Sequence, residues 1–146
     1  MRTCTIEICN MLDFQKLTLD DTKELESVTF RDMEINEEFV DNFWNVFKDD
    51  ITIKSLSFDH CFSSSNGFSF SDIIAGGCPS NSLKITNCNI TVDEASDILL
   101  NANPYSIRFI DFSGNQFKKS DSDFQEMLKL RVYDRMCLDQ MDLCVN

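Results

Sequence analysis

The sequence predicts an α/β solenoid, with parallel strands lining one face and helices returning on the outside. Two observations predict it. The first is a window, Ile107-Arg-Phe-Ile110-Asp-Phe112-Ser-Gly-Asn115-Gln-Phe117, with large apolar residues at positions 1, 4, 6 and 11 and Asn at position 9. Positions 4 and 6 share one face of a short strand, because side chains alternate along it. Position 9 falls where the chain leaves the sheet, and an amide there can bond backbone groups that have lost their ladder partners. The second observation is that the window recurs.

Leu83-Lys-Ile85-Thr-Asn-Cys88-Asn-Ile90 supplies positions 4, 6, 9 and 11, with Ser80 a weak first position. Ile53-Lys-Ser-Leu56-Ser-Phe58-Asp-His-Cys61 supplies 1, 4, 6 and 9, and Phe62 slips one place early. Leu25-Glu-Ser-Val28-Thr-Phe30-Arg-Asp-Met33-Glu-Ile35 is the earliest clear copy, with Met at position 9. Position 4 therefore falls at 28, 56, 83 and 110, a nearly constant spacing. A fixed period of this kind marks units that bury their apolar faces only by stacking on neighbours. The pattern resembles leucine-rich repeats, specifically the long, cysteine-containing repeats of the ribonuclease-inhibitor class and of F-box leucine-rich-repeat proteins. The resemblance covers residues 25–117 and implies a curved parallel sheet inside with helices outside.

At 146 residues the chain is expected to form a single domain, 1–146. Within it, 1–24 is an N-terminal cap, 25–117 carries the four clear repeat strands, and 118–146 is a degenerate fifth repeat or C-terminal cap. Residues 3–8 alternate (Cys4, Ile6, Ile8) and residues 12–19 do so less cleanly (Leu12, Phe14, Leu17, Leu19), so both read as strand-like. Between the repeat strands, Asn36-Glu-Glu-Phe39 is an N-cap followed by a stripe of Phe39, Val40, Phe43, Trp44 and Phe47. Such a stripe reads as core rather than as a ligand box. Asp49-Asp50 ends that helix. The next return segment is rich in loop: the run from Ser63 to Gly67 marks a solvated turn, and Gly76-Gly77 ends a short helix. Thr91-Val-Asp-Glu94 is a capping box before Ala95, Ile98, Leu99 and Ala102, with Asn103-Pro104 as the stop. Ser122-Asp-Phe-Gln125 repeats the capping logic before Phe124, Met127 and Leu128. A last window, Tyr133 to Leu143 with Met136 and Leu138 at positions 4 and 6, is either a closing strand or a helical end cap, and its apolar spacing favours the strand.

Composition narrows the function. The net charge of −12 excludes a general nucleic-acid or anionic-membrane binder, which needs a basic footprint. No apolar run reaches membrane-spanning or signal-peptide length. Seven Cys without paired spacing fit free thiols in a reducing compartment, so the expected location is intracellular, cytoplasmic or nuclear, and the sequon at Asn89 is incidental.

The chemistry-bearing residues read as structural. Asp59-His60-Cys61 brings nucleophile-like and base-like types together, but adjacent strand residues point to opposite faces. Cys61 and Cys88 share position 9 in neighbouring repeats, and two thiols fall short of the four ligands that structural zinc takes. The four glycines form no phosphate-cradling loop. We expect no catalytic residues, no metal and no cofactor. What remains is the strand face, where positions 2, 3, 5, 7 and 8 look outward. It carries Arg31, Lys54, Lys84 and Arg108 against Glu26, Asp32, Asp59 and Asp111, so it is expected to be neutral. With His60 and an exposed Phe109, these give the expected partner-binding set: Arg31, Lys54, Asp59, His60, Lys84, Arg108, Phe109 and Asp111. The expected function is non-enzymatic binding of another protein through this face. The resemblance implies a sharper version, substrate recognition for a ubiquitin ligase, with the F-box supplied by a longer parent chain or a separate adaptor. The alternative is a structural subunit of a larger assembly docked through its helical face, where Glu38, Asp41 and Asp97 would matter.

Overall fold

A computed structural model describes residues 4–19, 24–47, 51–63, 68–75, 80–102, 107–134 and 142–145. The fold is mixed α/β. Strand β1 (Thr5–Ile8) is followed by helix α1 (Met11–Lys16), β2 (Glu24–Arg31), β3 (Glu34–Ile35) and α2 (Glu37–Val46). Then come β4 (Thr52–Asp59), β5 (Phe62–Ser63), α3 (Phe70–Ala75), β6 (Ser80–Thr86), α4 (Val92–Asn101), β7 (Phe109–Asp111), α5 (Ser122–Asp134) and β8 (Asp142–Cys144). Six strands form one sheet in the order β1-β2-β4-β6-β7-β8, and β3 pairs with β5 in a second, two-stranded sheet. Every pairing is parallel.

The register aligns the sequence windows. Val28 faces Leu56, Leu56 faces Leu83, and Leu83 faces Ile110. All four side chains are fully buried, as are Phe30, Phe58, Ile85 and Phe112 at position 6. Helix residues close over that apolar face. Phe39, Phe43 and Phe47 reach Phe30 with ring centroids 5.0, 6.2 and 6.4 Å away, and Phe70 meets Phe58 at 5.3 Å. A second aromatic group, Phe112, Phe117 and Phe124, lies under the C-terminal strands. Two of the three expected N-caps form: Asn36 accepts from the Phe39 amide at 2.9 Å and Thr91 from the Glu94 amide at 3.3 Å.

Two expectations are corrected at the ends of the chain. Residues 12–19 hold no strand; 11–16 are helical. Asn10 caps this helix by accepting from the Asp13 amide at 2.8 Å. Leu12 and Phe14, which suggested alternation on one strand face, point apart: Phe14 is fully buried and Leu12 is 61% exposed. β1 is itself a sheet strand, with Ile6 facing Val28, a shorter step than the repeat period. At the other end α5 runs through Tyr133 and Asp134, where the last window was expected to begin. The closing strand places Leu143 against Ile110, where the expected window would have placed Met136. Met136, Leu138, Asp49-Asp50, the serine turn from 64 to 67, Gly76-Gly77 and Asn103-Pro104 lie outside the described residues. Gln125 also departs from the expected box: its side-chain amide donates to the Lys119 carbonyl.

Candidate functional site

In all four windows the residues at positions 2, 3, 5, 7 and 8 escape burial, while positions 4 and 6 are buried. The strands thus present one continuous polar face. Register defines its rows. Thr5, Ser27, Ser55, Ser82, Phe109 and Asp142 succeed one another across the six strands. Two residues further along lie Glu7, Thr29, Ser57, Lys84, Asp111 and Cys144. A third row runs Arg31, Asp59, Thr86. All eight expected site residues therefore belong to this face.

Asp59 is the hub of the third row. Its Oδ2 accepts from Arg31 Nη1 at 2.5 Å and faces His60 Nδ1 at 3.2 Å. Its Oδ1 accepts from Thr86 Oγ1 and Asn87 Nδ2, each at 3.0 Å. Burial alone would raise the Asp59 carboxyl, but hydrogen bonds from Asn87, His60 and Thr86 outweigh it and hold the group below the ordinary value of 3.8. Arg31 also donates to Glu7 at 2.7 Å. On the opposite margin Lys54 lies 3.3 Å from Glu26 and 3.7 Å from Glu24. Each of these two cations is shared by two carboxylates.

The backbone explains the odd residue types here. Asp32, His60, Asn87 and Gly114 occupy position 8, and all four have positive φ, at 56°, 53°, 55° and 78°. Asp, His and Asn tolerate that region better than other side-chain-bearing residues, and Gly does so freely. The amides of Asp32, His60 and Asn87 donate to the position 7 carbonyls Asp59, Thr86 and Ser113 on the next strand, at 3.2, 3.1 and 3.0 Å. His60 is thus a turn residue. The position 8 types were a readable signal that periodicity of apolar residues alone does not use.

Behind the face, position 9 forms a column, buried at Cys61 and Cys88 and partly buried at Asn115. Cys61 Sγ donates to the Phe30 carbonyl at 3.3 Å, Cys88 Sγ to Phe58 at 3.4 Å, and Asn115 Nδ2 to Ile85 at 2.7 Å. Each donates to the position 6 carbonyl of the strand before it. Asn115 also donates to Phe112 at 2.8 Å, and its Oδ1 accepts from the Cys88 and Ile90 amides at 3.0 and 3.1 Å. The adjacent Cys61 thiol, together with burial, pushes the Cys88 thiol up, so it stays protonated and able to donate.

Three expectations about the face change. Phe109 is half-buried; the exposed aromatic among the described residues is Phe62, 53% exposed on β5. Lys54 and Arg31 are engaged within the face itself. The face is also not neutral. β1, the start of β2 and β8 add Glu7, Glu24 and Asp142 to the four expected acids, giving seven carboxylates against four cations.

Comparison with family models, curated proteins and solved structures finds no match to this chain. Among the described residues, no helix is long and apolar enough to cross a membrane.

Proposed function

We propose that the chain is a leucine-rich-repeat-type solenoid module that binds another protein through its strand face, without catalysis of its own. The observation that carries this reading is the uncovered polar face, continuous over six strands, while aromatic helix residues close the other side of the sheet. The repeat class is supported by the recurring window, the in-register strands, the left-handed residue at position 8 and the position 9 column. Substrate recognition for a ubiquitin ligase is a narrower form that rests on the F-box resemblance alone. Five free cysteines among the described residues suit an intracellular setting, cytoplasmic or nuclear.

One observation favours the alternative of a subunit docked elsewhere. Leu12 on α1 and Phe62 on β5, the large exposed apolar side chains among the described residues, both lie off the strand face. Affinity capture with two variants separates the readings. Ser57→Trp with Ser82→Trp fills the strand face without changing charge, and E38K/D41K/D97K alters the helical side. The strand-face reading requires the first variant to lose its partner and the second to keep it; the opposite result supports docking by the helical side.

A further inference from the structure

We propose that the occupant of the strand face is an extended, cationic polypeptide segment; this rests on the strand-face reading above. The charge of the face is unevenly spread. Over β1, β2 and β4 and their turns stand Glu7, Glu24, Glu26, Asp32 and Asp59 against Arg31 and Lys54, five acids to two Arg and Lys side chains. Over β6, β7 and β8, Lys84 and Arg108 balance Asp111 and Asp142. The surplus negative charge therefore lies at the N-terminal end of the face. It is accessible: the side chains of Glu7, Glu24 and Glu26 are 54%, 50% and 45% exposed. Because Arg31 and Lys54 are each divided between two carboxylates, neither margin is neutralised from within. An incoming Lys or Arg would take up the remaining carboxylate capacity at each margin.

The floor sets the shape of the occupant. Between the Arg31–Asp59 margin and the Lys54–Glu26 margin lie short hydroxyl side chains, Ser27, Ser55 and Ser82 in one row and Thr29 and Ser57 in the other. The two hydroxyl rows lie about 7 Å apart, so the backbone of one extended chain laid across the strands can reach both. Each hydroxyl can donate or accept, which suits the backbone groups of an extended segment. The hydroxyl stretch of one row gives way to Lys84 and that of the other to half-buried Phe109. An occupant consistent with both ends places its basic residues over β1, β2 and β4 and an apolar residue against Phe109. The net charge of −12 would speed the approach of such a segment.

The test uses the intact chain and a fluorescein-labelled peptide of alternating Lys and Ser ending in Phe, with a second peptide carrying Glu in place of Lys. Fluorescence anisotropy reads Kd for wild type, E7Q/E24Q/E26Q, Ser57→Trp, and the helix-surface control E37Q/D41N/D97N. Circular dichroism checks that each variant is folded. The proposal expects the Lys peptide to bind, the face triple and Ser57→Trp each to weaken it at least about tenfold, and the control to change it less than about threefold. Equal loss in the face triple and the helix control would mean diffuse attraction and would overturn the proposal. Binding of the Glu peptide that is lost in Ser57→Trp would overturn the cationic occupant but leave the strand-face reading standing. Binding that is indifferent to both Ser57→Trp and the face triple removes the strand face itself.

Discussion

Two rows of polar side chains cross this sheet, two positions apart in each window, and they behave as opposites. In the position 9 column Cys61 and Cys88 are 2% and 4% exposed and, like Asn115, bond to backbone carbonyls. In the position 7 row Arg31 and Asp59 bond to other side chains in sight of water. A buried carbonyl that loses its donor finds no water to replace it, so its desolvation is uncompensated. Asp59, 17% exposed, keeps enough contact with solvent that a carboxylate losing its arginine there regains some water. The lateral arrangement is similar in both rows, yet the first holds the fold and the second is free to exchange partners.

The comparison breaks most readily at Asn115. Asn115→Ala takes an acceptor from two amides and a donor from two carbonyls and should cost about 3 kcal/mol in urea unfolding. A near-neutral result would mean that water replaces the column. Gly114→Ala comes next. Its φ of 78° disfavours a side chain, and an added Cβ would overlap Asn87 Oδ1, so a loss of about 2 kcal/mol is expected in the same assay.

At Asp59 the effect should shrink. Asp59→Asn is expected to cost about 1 kcal/mol at neutral pH, because the group is only partly buried and the Asn side chain keeps hydrogen-bonding capacity there. Its carboxyl is held below its ordinary value in the folded chain, so the unfolded chain binds the proton more tightly. The contribution is therefore complete above the unfolded pKa and is lost as pH falls through the folded one. Stability measured below about pH 4 should decline more steeply for wild type than for the Asn variant.

The smallest effect is expected at Glu94, where the sign reverses. Its Oε2 is buried and finds no partner among the described residues, and burial pushes the carboxyl up, opposed by the Thr91 backbone amide and aided by Asp97. A raised folded pKa gives a contribution that is complete below the unfolded pKa and lost as pH rises through the folded value. Glu94→Gln keeps the capping residue type and should raise neutral-pH stability by a few tenths of a kcal/mol at most, since the group is partly solvated. The gain should vanish in acid.

Much of this arrangement is legible in the chain, because the recurring windows carry their own register: once Val28, Leu56, Leu83 and Ile110 are aligned, buried and outward positions follow. The ends resisted. The step from Ile6 to Val28 is shorter than the period of the windows, and that from Ile110 to Leu143 is longer. α1 is too short for helical periodicity to stand out from the alternation of Leu12 and Phe14. The helical path through Asp134 moves the closing strand from Met136 to Leu143. The site suffered from the same cause. Glu7 and Asp142 reach the face from the two end strands, and a count that lacks their register comes out neutral. Phe109 faces outward as expected, but the depth of a side chain depends on its neighbours across the sheet, which a single window does not contain.

The chain's own cysteines report on both sides of the sheet. Cys61 and Cys88 lie in the buried column, whereas exposed Cys9 follows β1 beside Arg31 and exposed Cys144 closes the Glu7–Lys84 row on β8. Thiol alkylation of the native wild-type protein, followed site by site with peptide mass spectrometry, reads the contrast directly. Cys9 and Cys144 should react as open thiols, while Cys61 and Cys88 should be slowed by about a hundredfold or more and react only when the turn opens. Equal rates at all four sites would contradict the division between a closed column and an open face.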